Sequence, residues 1–279
     1  MERGGPAPGH HFRNRTTGLQ PFIRCGKVAF SPDSKTFAST TQTGDLWVWN
    51  VNGSDSMPSL KMQLSWENQV VAFSPCGKHL MAEAPSYGLE IRSTRSWEVM
   101  HTLIGHSSSL CDVAFSACGG EVGSASCDGT VRVWDTENWE LLHTLQHKEP
   151  VLSVAFSRHR DVVASGCWDN NIRLWSADTG QLQHVLTEHG GAPLSLEFSP
   201  VEDLLVSDSG DGTVKIWDIT HVMALESIPL ESEMQAFDSC EDSVSRICMS
   251  QDCTRVAAGS LKGAVRLWDG LAFFLLNTY

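Results

Sequence analysis

Between residues 28 and 269 one frame is written six times, and no other property of the chain restricts its fold so tightly. The clearest copy is Val113 to Asp135, VAFSACGGEVGSASCDGTVRVWD; the others begin at Val28, Val71, Val154, Leu196 and Ile247. In each copy an apolar residue preceding Ser (Phe30, Phe73, Phe115, Phe156, Phe198, Met249) lies 19 positions before a fixed site, held by Trp49, Arg92, Trp134, Trp175, Trp217 and Trp268. Successive copies start 43, 42, 41, 42 and 51 residues apart. A period near forty marks an array of one supersecondary unit, which buries its apolar surface only by stacking on its neighbours.

Within a copy the apolar runs are short and are separated by turn residues such as Pro32-Asp33, Cys76-Gly77, Asp128-Gly129 and Asp211-Gly212. This punctuation predicts strands. VAFS and VRVW are apolar on successive residues, which fits strands covered on both faces, as in small twisted sheets stacked radially. With the Trp-Asp ending, and a His nine residues before the Phe in the best copies, the chain resembles the WD-repeat family over about nine-tenths of its length. The resemblance implies an all-β propeller of four-stranded antiparallel blades. Six repeats are recognisable; the alternative is a seven-bladed ring with one incomplete blade, because seven repeats of about 42 residues exceed the 279 present. Closure has two solutions: either the final GLAFFLLNTY supplies the outer strand of the sixth blade, or Leu19 to Ile23 does. Residues 1–18, rich in Gly, Pro, Arg and His, read as a flexible basic arm, and residues 19–279 as the propeller.

Four residue types recur in phase in the central repeats: His106, Ser124, Asp128 and Trp134; His147, Ser165, Asp169 and Trp175; His189, Ser207, Asp211 and Trp217. The resemblance implies that in each set the turn Asp holds the His, the His reaches the Ser and the Ser reaches the Trp indole, a buried chain in which every polar group has a partner. A Ser, a His and an Asp also suggest an acyl-transfer triad. Threefold repetition within one chain argues for a structural device instead, and no nucleophile turn of the form G-x-S-x-G occurs. The end copies are weaker: repeat 1 has Pro21 and Thr43 in place of His and Asp, repeat 2 lacks all four types, and repeat 6 keeps Trp268 alone.

Nine cysteines, an odd number with no C-x-x-C pair, and no signal peptide or long apolar span point to a reduced protein of the cytoplasm or nucleus, without a disulfide framework. Cys111, Cys118 and Cys127 lack zinc-ligand spacing, and nothing calls for a metal or a cofactor. A net charge of −13 disfavours direct binding to nucleic acid or to an anionic membrane.

With its polar residues committed to structure, the chain reads as a non-catalytic scaffold or adaptor that binds other proteins or peptides. By repeat phase, the residue before the turn Asp and the one three before the apolar Phe or Met point to one loop-lined face. Trp168 stands out there as an aromatic anchor, with Asp112 and Arg246 able to flank it. Between Trp217 and Met249 the period lengthens, and Glu231, Glu233, Asp238, Glu241 and Asp242 make the insertion acidic, with Phe237 for apolar contact. Such a loop suits a partner with a basic segment. The alternative function is a substrate receptor of a ubiquitin ligase, although the Arg that some WD-repeat proteins carry two residues past Trp-Asp is missing from every copy.

Overall fold

Each copy of the frame folds as three antiparallel strands joined by tight turns, and a fourth strand follows it. The computed structural model describes residues 25–41, 44–51, 60–63, 70–220, 235–236, 244–250, 252, 254–260, 264–269 and 275–278. Sheet 1 comprises β1 (Cys25–Phe30), β2 (Thr36–Thr41), β3 (Asp45–Asn50) and β4 (Leu60–Gln63). Sheet 2 comprises β5 (Val71–Phe73), β6 (His79–Glu83), β7 (Leu89–Ser93) and β8 (Val99–Leu103). In sheet 3 they are β9 (Leu110–Phe115), β10 (Glu121–Ser126), β11 (Thr130–Asp135) and β12 (Leu141–Gln146). Sheet 4 runs through β13 (Val151–Phe156), β14 (Val162–Cys167), β15 (Ile172–Ser176) and β16 (Leu182–Leu186). Sheet 5 holds β17 (Pro193–Phe198), β18 (Leu204–Ser209), β19 (Val214–Asp218) and β20 (Gln235–Ala236). Sheet 6 ends the series with β21 (Val244–Met249), β22 (Arg255–Ser260), β23 (Val265–Asp269) and β24 (Leu275–Thr278). All six are meanders in which sequence neighbours pair, the arrangement of propeller blades.

Packing follows from the doubly apolar strands. Val113, Val122 and Trp134 of sheet 3 pack on Met81, Leu89 and Ile91 of sheet 2. One sheet further on, Val154, Val163 and Trp175 cover Val131 and Val133. Sheets 4 and 5, 5 and 6, and 1 and 2 repeat this contact with the same register positions. The two ends of the series differ. Phe30 is 61% exposed and Val28 51%, whereas their equivalents Phe198 and Leu196 are 8% and 7% exposed. On sheet 6, Val265 is 44% exposed where its equivalent Val131 is fully buried.

The C-terminal segment forms the outer strand of sheet 6, with Leu275 opposite Trp268, Asn277 opposite Leu267 and Thr278 opposite Arg266. The arm at residues 1–18 and the segment Leu19 to Ile23 lie outside the described residues.

A β-bulge interrupts the first hairpin of several sheets: between Cys25 and Val28, between Val151 and Ser153, between Pro193 and Ser195, and between Val244 and Arg246. In sheet 3 the pairs Leu110↔Ser126 and Asp112↔Ala125 leave Cys111 as the extra residue. Bulges re-aim side chains. Here they set Lys27, Asp112, Ser153, Ser195 and Arg246 at one level of their first strands.

Candidate functional site

In sheets 3, 4 and 5 the face at which the second strand turns into the third is built on Asp-centred turns. Asp128-Gly129, Asp169-Asn170 and Asp211-Gly212 share one geometry, with φ of 81° at Gly129, 68° at Asn170 and 85° at Gly212. Asn tolerates this left-handed conformation better than most side chains. The residue before each Asp donates its N–H to the loop leading into its blade: Cys127 to Ser109, Trp168 to Pro150 and Gly210 to Ala192. These three residues are therefore structurally equivalent around the ring.

Beneath the turns lie the His, Ser and Trp sets. In sheet 3, Asp128 Oδ2 is 2.8 Å from His106 Nδ1, His106 Nε2 is 2.8 Å from Ser124 Oγ, and Trp134 donates its indole N–H to Ser124 Oγ at 3.0 Å. In sheet 5, His189 Nε2 meets Ser207 Oγ at 2.7 Å and Trp217 donates to Ser207 at 2.8 Å. There His189 Nδ1 lies 3.2 Å from Thr213 Oγ1 and 3.5 Å from Asp211 Oδ2. Sheet 4 departs from the implied scheme. His147 and Trp175 both meet Ser165 Oγ at 2.8 Å, but His147 Nδ1 contacts the Leu145 carbonyl at 3.1 Å, and Asp169 forms two hydrogen bonds with Arg173. The reason is local. Thr130 and Thr213 donate hydroxyls to their turn Asp, whereas the equivalent residue in sheet 4 is Asn171, so Asp169 finds Arg173 instead.

Burial keeps these rings neutral. It lowers His106 against the pull of Asp128, and holds His147 and His189 down at about 4, the nearby Arg173 adding to the effect at His147. Against the cost of burial, Arg173 holds Asp169 down at about 2. A neutral His147 that donates from Nδ1 to a carbonyl must accept at Nε2. Ser165 therefore donates its hydroxyl to His147 and accepts from Trp175. Ser124, Ser165 and Ser207 are all fully buried beneath the turns.

Arg92 stands where other repeats place Trp. Its guanidinium bonds Glu90 at 2.5 Å and donates to the Trp97 carbonyl at 3.0 Å, so an ion pair replaces the Ser–Trp contact in sheet 2.

The bulge-level residues meet at the centre. Lys27 Nζ donates to Asp112 Oδ1 at 2.5 Å and to the Cys111 carbonyl at 2.7 Å, and Asp112 Oδ2 accepts the Val154 N–H at 3.1 Å. Asp112 thus ties the first, third and fourth blades together. Arg246 is exposed and close enough to oppose the charge of Lys27 and to favour that of Asp208. Burial dominates at both: aided by Arg246 and against the pull of Asp112 it lowers Lys27 to about 8, and against Arg246 it raises Asp208 to about 7. Asp208 Oδ1 accepts the Ser195 N–H at 2.7 Å, while Oδ2 is buried with no hydrogen-bond partner.

Trp168 is 60% exposed. Tyr87, in the short 3₁₀ turn Pro85–Tyr87 that replaces the Asp turn in sheet 2, adds a second aromatic at 39% exposure. Sequence phase missed Tyr87 because Ser86 and Tyr87 both adopt positive φ without a glycine to signal it. The acidic residues Glu231, Glu233, Asp238, Glu241 and Asp242, with Phe237, lie outside the described residues. Among the described residues no cluster of three or more His, Cys, Asp or Glu could hold a metal ion, and no helix is long and apolar enough to cross a membrane.

These features define a WD-repeat β-propeller. The profile of the family described as WD domain, G-beta repeat matches residues 97–135, 139–176, 180–218 and 232–269, and the chain belongs to that family. Each match begins at or before the outer strand of one blade and ends at the Trp-Asp site of the next, so every repeat bridges two blades. Proteins built of these repeats are generally interaction scaffolds without catalysis of their own. No curated protein matches the chain.

Proposed function

We propose that the protein is a non-catalytic adaptor that holds a partner protein or peptide on the loop-lined face carrying Trp168. The observation that carries this reading is the exposure of Trp168 at a turn position where the flanking blades place Cys127 and Gly210. A folded protein keeps 60% of an indole in water at a cost, and aromatic anchors of this kind dominate the energy of protein interfaces. Tyr87 presents a second exposed aromatic at the corresponding turn of sheet 2. The net charge of −13 and the acidic residues from Glu231 to Asp242 favour a partner segment that is basic, whose Lys or Arg can also lie over the Trp168 ring. Affinity purification of the wild type and of Trp168→Ala, with a melting curve for each, tests the reading. The variant should lose partners that the wild type retains while melting within a few degrees of it. Retention of every partner would refute the assignment of the face, and recovery of ligase subunits would turn it into a ubiquitin-ligase receptor.

A further inference from the structure

Cys111 and Cys127 lie sixteen residues apart in sequence, yet the fold brings their sulfurs to 3.2 Å of one another. The proximity has a structural cause. Cys111 is the bulged residue of β9, and Cys127 is the residue before the turn Asp, anchored by its N–H to Ser109. In sheets 4 and 5 the same two register positions hold Leu152 with Trp168 and Leu194 with Gly210. A thiol pair at this position therefore occurs in one blade among those described.

We propose that Cys111 and Cys127 form a vicinal dithiol site on the loop-lined face, which takes a hydroperoxide as oxidant and closes to an intrablade disulfide. Cys127 is the exposed sulfur and meets the oxidant first. Burial, and then the neighbouring Cys127, push the Cys111 thiol up, so that Cys111 keeps its proton. In the first step the Cys127 sulfur attacks one peroxide oxygen and the O–O bond breaks. The departing hydroxide takes the Cys127 proton as water and leaves a sulfenic acid. In the second step the Cys111 sulfur attacks the sulfenic sulfur. The S–S bond forms, the S–O bond breaks, and the leaving hydroxide takes the Cys111 proton as a second water. Two electrons pass from the sulfur pair to one peroxide.

The geometry permits closure. The sulfurs lie 3.2 Å apart and must approach by roughly 1 Å to reach bonding distance. The bulge interrupts the ladder at Cys111, so this movement disturbs no register pair of β9 with β10. The carbonyl of Cys111 is held by Lys27 and the next residue is Asp112, so the bond forms against the ion pair that links three blades.

The experiment uses the full chain, reduced and then exposed to one equivalent of hydrogen peroxide, with remaining thiols blocked by N-ethylmaleimide. Proteolysis after Glu121 separates Cys127 from Cys111 and Cys118, and fragmentation of the joined peptides locates the bond. The expected product is Cys111 linked to Cys127 with the loss of two hydrogens, ahead of any bond to Cys76, Cys118 or Cys248. Maleimide on both residues as in untreated protein, or a disulfide from either to another cysteine, would overturn the proposal. In Cys111→Ser, a cyclic 1,3-diketone should trap Cys127 as the sulfenic acid; in Cys127→Ser, Cys111 should remain a thiol. The opposite pattern would refute the order of attack. As an independent readout, the reduced protein should be retained on a phenylarsine oxide resin through both thiols, and each Ser variant and the oxidised protein should be retained at least tenfold less.

Discussion

Replacing Ser165 with Ala removes one hydroxyl from a site with no solvent access, and the structure states what is lost. Ser165 accepts from the Trp175 indole at 2.8 Å and donates to His147 Nε2 at 2.8 Å. Alanine leaves a buried N–H donor and a buried ring nitrogen unsatisfied, at about 1–3 kcal/mol each. His147 cannot turn to another partner without giving up the Leu145 carbonyl. We expect a loss of about 3 kcal/mol, which for a domain of this size is roughly 6–12 °C in melting temperature. The matched control is Ser39→Ala in the first blade. Ser39 accepts from Trp49 at a longer 3.3 Å, and Trp49 is only partly buried, so the loss should stay below about 1 kcal/mol. Urea unfolding followed by tryptophan fluorescence, with the slope compared across variants to detect blade-by-blade unfolding, reads both. A Ser165→Ala variant within about 0.5 kcal/mol of the wild type, or equal losses at Ser39 and Ser165, would refute the buried-chain account.

Burial depresses His147 to about 4 in the folded protein, below the unfolded value of about 6.5. Its stabilisation is complete above about pH 6.5 and is lost as pH falls toward 4, so the penalty of His147→Asn should shrink by about 2 kcal/mol between pH 7 and pH 5; a constant penalty would contradict this. Asp208 has the opposite sign. Its folded value of about 7 lies above the unfolded one, so its contribution is full at low pH and is lost as pH rises through 7. Relative to the wild type, Asp208→Asn should gain about 4 kcal/mol between pH 4 and pH 8 in urea titrations, and parallel curves would rule that out. Phe198→Ala should cost about 3–4 kcal/mol and Phe30→Ala about 1, because the same register position is 8% exposed in one blade and 61% in the other. Similar losses in thermal melts would show that the first blade is covered in solution.

The fold was legible because the frame from Phe to Trp repeats at a fixed spacing, and strand length and turn chemistry are local properties that a repeat displays six times. Phase places a residue within its blade, however, and is blind across the ring. The contact of Lys27 with Asp112 joins positions 85 residues apart on different blades, and no spacing announces it. The pairing of Asp169 with Arg173 was within reach, since Asn171 lacks the hydroxyl that Thr130 and Thr213 give their Asp, but the recurrence of His, Ser, Asp and Trp concealed the exception. The thiol pair escaped for a related reason. Sixteen residues separate Cys111 from Cys127, and only the bulge aims one at the other. The exposure of Trp168 was inferable, as a large aromatic beside a turn Asp has no blade interior to fill.

The adaptor reading rests most directly on where a partner sits. A photoreactive phenylalanine in place of Trp168, with a second at Leu142 on the exposed outer strand of the third blade, lets one irradiation compare the two surfaces in the assembled complex. Crosslinked partner from position 168 and little from position 142 is the predicted result. Crosslinks from 142 with none from 168 would contradict the account and move the partner to the rim of the propeller.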